Sequence, residues 1–173
     1  DQETIIKYSR IAVDEKAHEV KRQEALHQLR RIGQFAVPEL AKHLSDRSSE
    51  RRALVRIALS YIGRRGTLAM AKLTDTGNDL FKETLVLAIS DIKPADMRAV
   101  PALKRLYDNP KTNVTLKEKV AYALHKITGQ SANDMASFED YYYLQANRFY
   151  MELTGVPEEA FDADGVVWEV KEG

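Results

Sequence analysis

Cysteine is absent from the 173-residue chain. Its absence excludes disulfides, thiolate metal sites and cysteine nucleophiles, and removes the usual sign of redox compartment. Glycine and proline are sparse, at 8 and 5 residues, too few to punctuate the many short strands of a sandwich or barrel. No apolar run approaches the roughly 18 residues of a membrane span. Net charge is missing too, because 26 Lys and Arg balance 26 Asp and Glu. What remains, 44% hydrophobic and 30% charged residues, is the composition of a soluble, mostly helical single domain.

The balanced charge is unevenly spread. Residues 1–133 hold 24 Lys and Arg against 16 Asp and Glu, whereas residues 134–173 hold 2 against 10. A basic body and an acidic end either attract one another or serve different partners. The sequence starts at Asp1 rather than Met, which favours an exported, processed chain, periplasmic or extracytoplasmic, over a cytoplasmic one.

Hydrophobic periodicity predicts a lead-in helix over residues 2–13 and a second over 17–32, with Val20, Ala25, Leu26, Leu29 and Ile32 on one stripe and Gly33 as its stop. Pro38 then opens a helix carrying Val37, Leu40, Ala41 and Leu44. The turn from Ser45 to Ser49 supplies the cap of a third, whose apolar positions are Leu54, Ile57, Ala58, Tyr61 and Ile62. Asn78 or Asp79 caps the next, and Thr115 with Glu118 forms a capping box for the last repeated one.

These pieces recur. Leu29-x-x-Ile32-Gly33 returns as Leu59-x-x-Ile62-Gly63, as Ile89-x-x-Ile92, and as Leu124-x-x-Ile127 with Gly129 following. The Ile positions are separated by 30, 30 and 35 residues. Ala36-Val37-Pro38-x-Leu40 returns as Ala99-Val100-Pro101-x-Leu103. A paired-helix unit at this period predicts an all-α fold, an α-solenoid of stacked antiparallel helix pairs whose neighbours bury each other's apolar faces. Leu29, Leu59 and Ile127 are expected in that core.

After Gly129 the pattern changes. Residues 138–153 read as an aromatic-rich capping helix with Phe138, Tyr142, Ala146, Phe149 and Leu153 on one face, and the rest reads as a partly extended tail. The expected organisation is one helical-repeat domain over 1–153 and an acidic tail over 154–173.

Over residues 17–129 the chain resembles HEAT-repeat proteins of the short bacterial HEAT-like variety. The Leu-x-x-Ile-Gly helix ends and Val-Pro-x-Leu helix starts carry the likeness, although the strict longer HEAT period is not met. The tetratricopeptide pattern of Trp, Leu, Gly and Tyr is absent. The resemblance implies a binding scaffold, since such folds host many jobs. Some HEAT-like proteins resemble DNA glycosylases or phycobilin lyases, yet no catalytic residue of those carries over to this chain.

The repeat offsets place Arg22, Arg52, Lys82 and Lys117 at one equivalent position, a basic row along the second helices. Read as function, the row tracks phosphates or an acidic partner, supported by Arg51, Arg56, Arg64 and Arg65. Read as architecture, which charges on helices usually favour, it pairs or is solvated. The HEAT resemblance implies such a role for Asp46 and Arg52, pairing between neighbouring units. Arg22, Arg56, Lys82 and Lys117 remain candidate partner contacts, with Tyr141 and Tyr143 on the outer side of the aromatic helix and Trp168, the sole Trp, in the tail.

His18, His27, His43 and His125 are scattered without zinc-site spacing. Asp162-Ala163-Asp164-Gly165 places its Gly too early for a calcium loop, and Gly63-Arg64-Arg65-Gly66 lacks the Lys of a phosphate loop. No catalytic residue, metal site or cofactor is expected. The leading expectation is a non-enzymatic scaffold or adaptor that binds another protein along the concave groove of the second helices. The alternative is nucleic-acid binding through the basic row. The oligomeric state is left open.

Overall fold

The computed structural model describes residues 1–151, with the side chains of 148–151 outside the description. The expected tail over 154–173, with Trp168, and the positions Phe149 and Leu153 of the aromatic stripe therefore lie outside the described residues. Within them the chain is all-helical, without strands. No described helix is long and apolar enough to cross a membrane.

Four long helices carry the repeat: α2 (Glu19–Ile32), α4 (Ser49–Ile62), α6 (Asp79–Ser90) and α8 (Val114–Thr128). Their starts are 30, 30 and 35 residues apart, the same intervals as the Ile positions. Their N-caps, His18, Ser48, Asn78 and Asn113, keep the same register, each accepting a backbone N–H of the first turn through its side chain. Asn78 is thus the cap of α6. At α8 the capping atom is Asn113 Oδ1, 2.8 Å from Leu116 N, rather than the expected Thr115 box. Asn is as good a cap as Thr, and the helix gains two residues by starting earlier.

Between the long helices lie α1 (Gln2–Ala12), α3 (Val37–Ala41), α5 (Thr67–Leu73), α7 (Val100–Asp108) and α9 (Phe138–Met151). Each of α1, α3, α5 and α7 packs on the long helix that follows it. The long helices also lie side by side in chain order, α2 on α4, α4 on α6 and α6 on α8, while α1, α3, α5, α7 and α9 contact one another in a parallel series. Gly33 and Gly63, at φ +69° and +74°, end α2 and α4 in a backbone region that a side chain would strain. A single 3₁₀ turn follows each and leads directly into the next short helix. The third unit lacks this glycine, and its longer link from Asp91 to Ala99 accounts for three of the five extra residues in the 35-residue interval, the other two lying between the starts of α7 and α8.

The core is one cluster running through all units, with Leu29, Leu40, Leu59, Met70, Leu85, Ile89, Leu103 and Leu124 at most 2% exposed. Two expected core residues instead face solvent: Val20 is 68% and Ile57 50% exposed. On α4 the buried stripe is Val55, Ala58, Leu59 and Ile62, and Ile57, two residues from Val55 and from Leu59, points about 200° away from each. Ile127 is half-buried against the core, while the residue in register with Leu29 and Leu59 is Leu124.

Candidate functional site

The basic row is real as a register and mostly spent as a binding surface. Each member stands four residues after a cap. Arg22, with its side chain 15% exposed, donates from Nη2 to the carbonyls of Asp14 (2.9 Å) and Ala17 (3.0 Å) and from Nη1 to Glu19 (2.9 Å). Arg52 does the same one unit later, donating to the carbonyls of Asp46 (2.6 Å) and Arg47 (3.1 Å). Both guanidiniums thus close the turn that precedes their helix by holding backbone carbonyls of the link. Arg22 is therefore corrected from a candidate partner contact to a turn-closing residue.

Asp46 and Arg52 do meet, but through the backbone carbonyl and inside one unit, not between carboxylate and guanidinium of neighbours. The Asp46 carboxylate accepts Ser48 N–H and pairs with Arg51 at 3.1 Å, which together hold its pKa below the ordinary value. The one-turn geometry explains the exchange: Ser48 caps α4, so the carboxylate two residues earlier folds onto the cap and onto Arg51 rather than toward Arg52.

Lys82 is half-buried on α6. Lys117 lies over the Tyr107 ring, 4.9 Å from its centroid, and ties α8 to α7. Arg56 donates to Asp91 at 2.5 Å, and Asp91 also accepts Lys126 at 2.8 Å. One carboxylate at the end of α6 thereby bridges α4 and α8. Burial would raise the Asp91 pKa, but hydrogen bonds and charge from Arg56 and Lys126 outweigh it and lower it. Arg22→Ala is expected to cost about 2 kcal/mol, as two charge-assisted bonds to the carbonyls of Asp14 and Ala17 are lost, the second of them part-buried. Lys117→Ala, losing one partly exposed cation–π contact, should cost about 0.5 kcal/mol. Urea denaturation of the two variants separates these outcomes, and equal losses would refute the assigned roles.

On α9 the inward stripe is Phe138, Tyr141 and Gln145 with Tyr142 at its edge, and Ala146, expected on the inward face with Phe138 and Tyr142, is exposed. Tyr141 packs against the core, so its reading as an outward contact is corrected: it stands three residues from Phe138 and four from Gln145, on the same helical face. Tyr142 meets Phe138 edge-on at 6.4 Å and lies 5.8 Å from Arg105, and burial raises its pKa. Tyr143 is 66% exposed, as is the neighbouring Leu144 at 54%.

The exposed surface of the long helices carries a strip that sequence reasoning assigned to the core or left unassigned. His27, Ile57 and Tyr122 occupy equivalent positions on α2, α4 and α8, and Ile57 and Tyr122 are 50% and 52% exposed. Tyr61 Oη is 3.2 Å from His27 Nδ1, with the rings edge-on, and the Arg30 guanidinium covers the Tyr61 ring at 5.3 Å. Lys126 lies 5.6 Å from the Tyr122 ring. Aromatic and aliphatic groups flanked by paired ions form this strip, a composition suited to a protein partner. The signal was readable: positions 27, 57 and 122 obey the repeat offsets while breaking the buried stripe.

Among the described residues, no three His, Asp or Glu side chains gather where a metal ion would be held. Compared with known proteins, the chain matches no protein-family model and no curated protein.

Proposed function

We propose that the chain is a HEAT-like α-solenoid of stacked antiparallel helix pairs, ended by α9 as a cap, and that it works as a non-enzymatic scaffold for another protein. The partner would lie along the long helices, taken as the concave side. The observation that supports this reading is the exposure of Ile57 on α4 and Tyr122 on α8, beside His27 and the half-buried Tyr61, because large apolar groups left in solvent at equivalent positions of the repeat bury area only when something covers them. Arg56, Asp91 and Lys126 border the strip as a fixed ionic frame, which favours register and specificity over raw affinity.

Nucleic acid is the weaker alternative. Phosphate tracking needs cations that are free to neutralise charge, and Arg22 and Arg52 are committed to carbonyls while Arg56 is committed to Asp91.

The test is a comparative capture from the source lysate with immobilised wild-type chain and the double variant Ile57→Asp, Tyr122→Asp. Both sites are exposed, so helicity by circular dichroism should not change. A protein retained by the wild type and lost by the variant is the expected result. An identical retained set for both chains would overturn the assignment of the face.

A further inference from the structure

The turns from long to short helices form a second surface, adjoining the strip at Arg30. Residues 30–36, 63–67 and 92–99 contain six cations, Arg30, Arg31, Arg64, Arg65, Lys93 and Arg98, and one acid, Asp96. That acid is buried and engaged by Arg98. The three turns are strung together: Arg65 Nη1 donates to the Arg31 carbonyl at 3.2 Å, and Arg98 Nη2 donates to the Arg64 carbonyl at 2.7 Å. Cations of successive units are therefore held side by side on one edge. Phe35 and Met97 lie on the same edge, 44% and 54% exposed. An anionic segment with large apolar groups fits such a surface.

The course of α9 identifies a segment that reaches it. Tyr142 sits beside Arg105 near the end of α7, and three residues later Gln145 Nε2 donates to the carbonyl of Arg98, just before α7 begins, at 3.5 Å. So α9 runs antiparallel to α7 and heads toward the arginine edge. Its last six residues extend about 9 Å beyond Gln145. The sequence that follows, residues 152–173, carries seven acids and one Lys, together with Phe161 and Trp168. Its 22 residues span at most about 70 Å when extended, ample to follow three turns.

We propose that residues 152–173 dock on this edge of their own chain. Their carboxylates face Arg31, Arg65 and Lys93, and their aromatic side chains seat on the exposed Phe35 and Met97. The basic body and the acidic end are then two halves of one internal contact, and any outside ligand of this edge competes with the segment.

Trp168 is the sole Trp and reports on the contact directly. Acrylamide quenching of its emission is measured in the full chain at low salt and at about 1 M NaCl, where the screening length falls to about 3 Å. Protection at low salt, with quenching that rises about twofold at high salt as screening weakens the contact, is the expected result. The exposed-site variant Arg31→Glu, Lys93→Glu should give the high-salt quenching already at low salt, with unchanged helicity. A second variant, Asp162→Asn, Asp164→Asn, Glu169→Gln, should do the same without touching the helical body. Full quenching of wild-type Trp168 at low salt, or protection insensitive to both variants, would overturn the proposal. Protection that disappears on dilution would overturn it as well, because the occupant would then be a second copy. Addition of a short DNA duplex that leaves the low-salt protection in place agrees with the proposal. Its displacement of Trp168 at equimolar amounts would assign the edge to nucleic acid instead.

Discussion

Leu59→Ala is expected to lower the unfolding free energy by about 2–5 kcal/mol. Leu59 is fully buried on α4, on the stripe with Val55, Ala58 and Ile62. Its helix is flanked by α2 on one side and α6 on the other, and α3 packs across it. Truncation removes the transfer free energy of the lost methyl groups and leaves a cavity whose walls are held from several directions, so little collapse can offset it. Chemical denaturation of both chains checks this. A loss below about 0.5 kcal/mol would place the core on a different face of α4. The contrast with Ile57, two residues away and half exposed, is a built-in control: the same truncation there leaves no enclosed cavity and should cost far less.

The second large effect concerns a residue that sequence reasoning passed over. Asp96 lies in the link before α7 with its side chain 2% exposed. It takes Arg98 Nη2 at 2.7 Å and Nε at 3.1 Å, accepts the Arg98 backbone N–H at 3.1 Å, and has Arg64 Nε at 3.7 Å. Asp96→Ala leaves the Arg98 guanidinium, itself 15% exposed, without its counter-charge, and is expected to cost about 3 kcal/mol. Burial would raise the Asp96 pKa, but the hydrogen bonds and charge of Arg98 prevail and lower it below its ordinary value of 3.8. A carboxyl whose pKa is lowered by folding stabilises the folded chain fully above its unfolded value, and that contribution is lost as the pH falls toward the folded one. Stability of the wild type should therefore drop as acid is added below about pH 4, and Asp96→Asn should drop less steeply. Denaturant midpoints of the two chains across pH 3 to 6 test it, and parallel curves would refute the assignment.

The period was legible because it is written twice, in the Leu-x-x-Ile helix ends and in the Val-Pro helix starts, and the caps keep it in the structure. Leu29, Leu59 and Leu124 mark the buried row, and His18, Ser48, Asn78 and Asn113 open the helices at the same intervals. What escaped was the direction of polar side chains. Spacing gives an arginine its helix and its face, but not whether the guanidinium turns to solvent, to an acid, or back onto the carbonyls of the preceding turn, as at Arg22 and Arg52. Asp96 escaped for a related reason. Its burial follows from the longer third link, and the repeat pattern has no counterpart for that segment. The exposed Ile57 was hidden by hydrophobicity itself, which counts an apolar residue as core until the helical angle is worked out, and Tyr122 was assigned no face.

The bridges between successive units have a consequence for how the chain folds. Arg56 to Asp91, Asp91 to Lys126, Glu83 to Lys119, Asp79 to Asn113, Arg31 to Arg65 and Arg64 to Arg98 each join residues 34 to 36 apart. No such bridge has to wait for distant parts of the chain to find one another. Each closes a loop of one unit's length, whose entropic cost grows only slowly with size. Formation of one neighbouring pair of units places the atoms for the next bridge, so assembly can begin at any internal unit and spread in both directions as a zipper.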